Sequence, residues 1–194
     1  MCRRLLCYGD SNTYGYDPRP LLGGRYPESV RWTVLLNATN WDVINRGENG
    51  RSIPRLDREI ETAVQTVRGI ETDILTVMLG SNDLLQCPGL SAEVCGKRME
   101  QFLAALLEKA RADLKILLVA PPPMELGAWV NDHKTLEESR RLAGYYERAS
   151  HQLGIAFADA GTWGIGLTYD GVHFSEEGHL AFAKGIRAAL DALL

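Results

Sequence analysis

The sequence predicts an α/β fold, a three-layer α/β/α sandwich built on a five-stranded parallel sheet. Two observations carry the prediction. Short apolar runs alternate five times with segments whose apolar residues recur at helical spacing, the signature of a parallel sheet with crossover helices. Residues 74–79 form a nearly unbroken apolar run, which suits a strand covered on both faces rather than one. The 194 residues hold no internal repeat, linker or low-complexity tract, so residues 1–194 are expected to form a single domain.

Each element follows from its local pattern. An apolar run beginning at Leu5 breaks at Gly9-Asp10-Ser11-Asn12, as a buried strand does when it reaches a loop at the rim of a sheet. Residues 17–28, with three prolines and two adjacent glycines, are expected to form a long irregular loop near any site. Residues 31–37 suit a helix, and residues 41–45 a second strand that ends at Gly47-Glu48-Asn49-Gly50. Leu56, Ile60, Ala63, Val64 and Val67 mark the next helix. The run at residues 74–79 is the third strand, closed by the turn chemistry of Gly80-Ser81-Asn82-Asp83. Met99, Phe102, Leu103, Leu106 and Ala110 define another amphipathic helix. Residues 116–120 are a fourth strand, stopped by three prolines that cannot extend a ladder. A loop at residues 124–134 then leads to a helix carrying Leu142, Tyr146, Ala149 and Leu153. Residues 155–158 give the fifth strand. A glycine-rich loop follows, and Ser175 caps a last helix with Phe182, Ile186, Leu190 and Leu193 inward.

A formal net charge of −4, with no dense Lys/Arg run, argues against nucleic acid or an anionic membrane surface as partner. No apolar stretch reaches the length of a membrane span, so membrane insertion is not expected. Met1-Cys2-Arg3-Arg4 is basic, yet only a short strand-like run follows it, which does not make a signal peptide. The expected compartment is therefore cytoplasmic, with Cys2, Cys7, Cys87 and Cys95 as reduced thiols. No second Cys or His pair stands at zinc-ligand spacing, so neither a metal nor another cofactor is expected.

In a parallel sheet the strand ends share one side, so Asp10-Ser11-Asn12, Glu48-Asn49-Gly50 and Ser81-Asn82-Asp83 can converge there. Asp170 and His173 stand just ahead of the last helix. A hydroxyl, an imidazole, a carboxylate and spare N–H donors are the groups that acyl transfer from an ester requires. Each cluster also has a plainer use: Asp10 or Ser11 as a helix cap, Asn82 as a turn residue. The motif G-x-S-x-G is absent, because Thr13 stands where its second glycine would be.

Gly9-Asp10-Ser11, Gly50, Gly80-Ser81-Asn82-Asp83 and Asp170-Gly171-Val172-His173 resemble, in order and spacing, the four sequence blocks of the SGNH (GDSL-type) hydrolases. Val30-Arg31-Trp32-Thr33 and the three prolines are similar to runs in small bacterial arylesterases and acyltransferases. The resemblance spans residues 5–180 and implies the flavodoxin-like SGNH hydrolase fold. It implies Ser11 as nucleophile, His173 as general base and Asp170 as the carboxylate that orients it. The backbone N–H groups of Ser11 and Gly50 and the side-chain amide of Asn82 would form the oxyanion hole. Asp10 and Asn12 are expected to support the Ser11 turn. Arg51 is expected to bond loop carbonyls or to stand at a pocket rim. Tyr14, Tyr16 and Trp32 suit a substrate pocket and ordinary packing equally. Of the other histidines, His179 reads as packing or surface, and His133 and His151 as solvated.

The expected function is hydrolysis of short-chain, acetyl-type esters of small alcohols, aryl groups or sugars through an acyl-enzyme, with acyl transfer to another alcohol as a variant. Longer acyl chains, as for a lysophospholipase or thioesterase, and a non-catalytic binding module on the same fold are the competing readings. The partner is thus a small-molecule ester, and association into a homo-oligomer follows only from the habits of the subgroup.

Overall fold

The computed structural model describes residues 3–37, 41–110 and 113–194. Five parallel strands make the main sheet: β1 (Arg3–Gly9), β4 (Trp41–Gly47), β5 (Ile74–Met78), β6 (Lys115–Ala120) and β7 (Ala156–Asp159). Their order is β4-β1-β5-β6-β7. The chain moves from β1 to one side and then crosses to the other, so the strand order reverses at β1. Ligands of open α/β sheets bind beyond the carboxyl ends at such a reversal. Gly9 stands in register with Gly47 on one side and Met78 on the other, which brings three strand ends level.

Side chains alternate between the faces of each strand and so divide the core in two. Leu6, Tyr8, Leu75, Val77 and Leu118 face one layer, made by α3 (Asp57–Arg68), α4 (Ser81–Gln86), α5 (Ala92–Lys109) and α6 (His133–Leu153). Leu5, Cys7, Ile74, Leu117 and Val119 face α2 (Trp32–Asn37) and α7 (Glu176–Asp191). The predicted three-layer α/β/α sandwich with its five-stranded parallel sheet is the observed fold.

The structure corrects or sharpens three local expectations. Residues 17–28 are not wholly irregular: β2 (Tyr16–Asp17) and β3 (Gly24–Arg25) pair as an antiparallel hairpin. Strands of two residues are too short for a period to show in sequence. The turn chemistry at residues 81–83 opens a helix, the first turn of α4, which decides for Asp83 as a helix-start residue over a plain turn. The long helices α5 and α6 start seven or more residues ahead of their first apolar markers, at polar turns capped by Ser91, which accepts from Val94 N–H, and by Asp132, which accepts from the N–H groups of Lys134 and Thr135. Ser175 caps α7 as expected, accepting from Gly178 N–H, although Leu193 lies past the helix end. Cys7, Cys87 and Cys95 are free thiols, while Cys2 lies outside the described residues. Among the described residues no helix is long and apolar enough to cross a membrane.

Candidate active site

The end of β1 delivers Asp10 as the N-cap of α1 (Ser11–Tyr14), a single helical turn. The Asp10 carboxylate accepts from Asn12 N–H at 2.9 Å, and its carbonyl accepts from Thr13 and Tyr14 N–H at 3.1 and 2.9 Å. This turn sits hard against the end of β4. A Cβ on Gly47 would fall 2.1 Å from the backbone nitrogen of Tyr14, so only glycine lets the two segments approach. Burial pushes the Asp10 carboxyl up to about 6, against the pull of the Asn12 N–H, the His173 imidazole and the Arg51 guanidinium.

The loop ahead of α7 folds around a second buried carboxylate. Asp170 Oδ1 accepts from the N–H groups of Val172 and His173 at 2.9 and 3.0 Å and from Thr168 Oγ1 at 2.8 Å. Its Oδ2 lies 2.7 Å from His173 Nδ1. Burial opposes the charge, but the bonds from the His173 side chain and from the His173 and Val172 backbone outweigh it and hold the carboxyl at about 2. An ionised carboxylate only accepts, which assigns the ring proton to Nδ1 and leaves Nε2 as an acceptor. Nε2 lies 2.9 Å from Ser11 Oγ, so a buried Ser–His–Asp chain links the two ends of the sequence.

Asn12 fastens these loops together. Its amide donates to the Val172 carbonyl at 3.1 Å and accepts from Phe174 N–H at 2.9 Å. The His173 ring contacts two aromatic rings, Tyr16 at 4.7 Å and Trp129 at 4.9 Å, the latter nearly perpendicular to it. Trp129 belongs to the loop between β6 and α6, whose Glu125, Ala128 and Trp129 N–H groups donate to the carbonyls of Gly171, Tyr169 and Asp170. Nothing in the sequence pattern marks Trp129; an exposed tryptophan in a loop that follows a strand-ending proline run was its one available sign.

On the other flank, Gly50 adopts φ +76°, a left-handed conformation that favours glycine, although a Cβ there would meet only Gln86 Nε2 at 3.9 Å. Backbone conformation, rather than lack of space, therefore calls for glycine. Gln86 Nε2 donates to the Gly50 carbonyl at 3.0 Å and Asn82 Nδ2 to the Arg51 carbonyl at 3.0 Å, which ties this loop to α4. An amide NH2 has two hydrogens, so Asn82 keeps one to offer elsewhere. The Arg51 guanidinium reaches the carbonyls of Gly9 (2.8 Å) and Arg46, and lies over the Tyr8 ring at 4.2 Å. Asp83, buried, accepts from Ile53 N–H at 2.9 Å and pairs with Arg98 at 3.0 Å. In sequence Asp83 reads as a turn or helix-start residue, and its clamp on the Gly50 loop was not legible.

The structure thus joins Ser11, His173 and Asp170 in one chain of hydrogen bonds, and Gly50, Arg51 and Asn82 in one loop contact. Asp10 and Asn12 hold backbone beside them. Trp32 is not a pocket residue: it is buried against Phe182 and donates from Nε1 to the Asn12 carbonyl at 2.9 Å, because it lies on the face of α2 turned to the sheet. Tyr14 lies under the Arg25 guanidinium at 4.2 Å, and among the described residues only Tyr16 of the three aromatic candidates has a ring contact with His173. His179 is fully buried between Tyr26 and Phe174; burial, reinforced by the Arg31 charge, pushes it down to about 4. His133 and His151 are exposed.

Residues 7–181 match the GDSL-like lipase/acylhydrolase family. The fold is similar to that of the carbohydrate acetylesterase Est24 from Sinorhizobium meliloti, with 25% identity, a TM-score of 0.85, and 99% of this chain and 100% of that one covered. It is also similar to the aryl esterase of M. smegmatis, with 25% identity, a TM-score of 0.79, and coverage of 96% and 99%. No curated protein matches the sequence.

Proposed function

The chain belongs to the GDSL-like lipase/acylhydrolase family and is a carboxylic ester hydrolase, and from that premise we propose that it cleaves short-chain, acetyl-type esters of aryl groups, sugars or small alcohols through an acyl-enzyme on Ser11. In this mechanism Ser11 Oγ attacks the ester carbonyl as His173 Nε2 takes its proton. Asp170 keeps the imidazole in the required tautomer and offsets the positive charge the ring gains. The oxyanion is met by the N–H groups of Ser11 and Gly50 and by the second amide hydrogen of Asn82. Collapse expels the alcohol with the proton from His173, and water repeats the sequence on the acyl-enzyme.

The observation that carries this proposal is the buried relay, 2.9 Å from Ser11 Oγ to His173 Nε2 and 2.7 Å from Nδ1 to Asp170. Substrate size rests on what the similar proteins are called, an acetylesterase and an aryl esterase. Fluorophosphonate labelling tests the nucleophile: the wild type gains the probe's mass on Ser11 and Ser11→Ala does not. Comparing p-nitrophenyl acetate with the octanoate tests chain length, and faster turnover of octanoate overturns the short-chain proposal.

A further inference from the structure

A cleft of about 650 Å³ is lined by neither Ser11 nor His173. It opens between the Gly50 loop, the start of α3 and α4, and touches the candidate oxyanion donors only at Gly50. Four arginines line it: Arg51, Arg55, Arg58 and Arg98. Three carboxylates line it as well, and each is already engaged. Glu48 pairs with Arg51 at 2.6 Å, and Asp83 with Arg98 at 3.0 Å. Glu59 accepts from the backbone N–H groups of Arg55 and Leu56 at 3.0 and 3.1 Å.

The guanidiniums of Arg55 and Arg58 make no hydrogen bond among the described residues. Their charges fall on Glu59, whose oxygen is spent on backbone. The cleft therefore holds one more cation than anion, on a chain whose formal net charge is −4. Guanidinium forks match the geometry of carboxylate and phosphate oxygens, and a concave wall strengthens their attraction.

We infer that this cleft receives an anionic group, a carboxylate or phosphate, carried by the alcohol portion of the ester, with Arg55 and Arg58 as the donors that hold it. The inference rests on the esterase reading above and narrows its substrate class to esters of acidic alcohols. Because the cleft meets the oxyanion loop at Gly50, an alcohol seated there would leave its acyl end beside Ser11.

The test compares para-acetoxybenzoate with its neutral isostere para-acetoxybenzamide. The expected result is a KM lower by about ten-fold or more for the anion, a ratio that shrinks at high salt and falls toward one in Arg55→Gln/Arg58→Gln. Neither guanidinium is hydrogen-bonded among the described residues, so this variant is expected to fold, and Arg55→Lys/Arg58→Lys is expected to recover part of the ratio. No preference in the wild type, or one that survives the Gln variant, overturns the inference. A binding arm separates it from the esterase reading: para-hydroxybenzoate titrated into Ser11→Ala by calorimetry is expected to bind about ten-fold tighter than phenol, and equal binding overturns the inference. If neither ester is hydrolysed, the esterase reading fails while this arm still decides the cleft.

Discussion

Asn12 Oδ1 accepts the backbone N–H of Phe174 at 2.9 Å across 162 residues of sequence. The residue after the proposed nucleophile thus fixes the residue after the proposed base, and the same side chain donates to the Val172 carbonyl. The register of His173 against Ser11 therefore depends on one amide. Asn12→Ala is expected to strand a buried N–H and a buried C=O, at about 1–3 kcal/mol of stability. It should also lower kcat about 10- to 100-fold with KM little changed, since small misplacements of a reacting group are costly. Asn12→Asp keeps the acceptor for Phe174 but sets a carboxylate against the Val172 carbonyl, so it should rescue less than half of the loss in melting temperature. Steady-state kinetics with thermal melts check both.

Asn82→Ala removes a half-buried side chain with one hydrogen bond in the free enzyme, yet its cost should appear mostly in turnover. The expected loss is about 10²–10³ in kcat, the usual cost of deleting one oxyanion donor. A loss confined to KM would remove Asn82 from that role. Gly50→Ala should instead cost about 1–2 kcal/mol of stability, because a side chain at φ +76° is strained while space for it is open.

What could be seen in the sequence divides along physical lines. Strands such as β5 and β6 were legible because burial on both faces leaves an unbroken apolar run, and the hydrogen-bonded set of Ser11, His173 and Asp170 because acyl-transfer chemistry of the proposed kind restricts residue type and spacing. The hairpin around Gly24 and the polar first turns of α5 and α6 carry no hydrophobic period, so nothing marked them. Trp32 stayed open between pocket and packing because an aromatic beside the Ser11 block suits both equally; which face of α2 turns inward decides for packing. Trp129 and the Asp83–Arg98 clamp are long-range contacts, set by how loops meet after folding.

Trp129 is half exposed, yet its ring stands at 84° to the His173 ring with the centroids 4.9 Å apart, and the Tyr16 ring lies 4.7 Å from the same imidazole. A ring there limits how the imidazole tilts and interacts with the positive charge it gains during turnover. Trp129→Ala should lower kcat/KM about 2- to 5-fold, the scale of an exposed aromatic–cation contact. Trp129→Phe should restore most of it. An unchanged kcat/KM for the alanine variant, with para-substituted aryl acetates as substrates, would leave Trp129 as bystander.

Asp10 and Asp170 set opposite pH dependences of stability. Asp170 is held at about 2, below the ordinary 3.8, so it stabilises the fold above pH 4 and that contribution is lost as pH falls toward 2. Asp10 is raised to about 6, so the folded state binds its proton more tightly than the unfolded chain does. Its effect has the other sign: stability declines as pH rises from about 4 to 6 and is level above that. Asp10→Asn retains an acceptor for Asn12 N–H without a buried charge. It should therefore melt higher than the wild type at pH 8, and the gap should close as pH falls to 4. Asp10→Ala lacks the cap and should be about 1 kcal/mol less stable than Asp10→Asn at every pH. Melting curves from pH 4 to 8 read both differences. If Asp10→Asn melts lower than the wild type by the same margin at both ends, the carboxylate is needed as a charge, and burial is not what governs it.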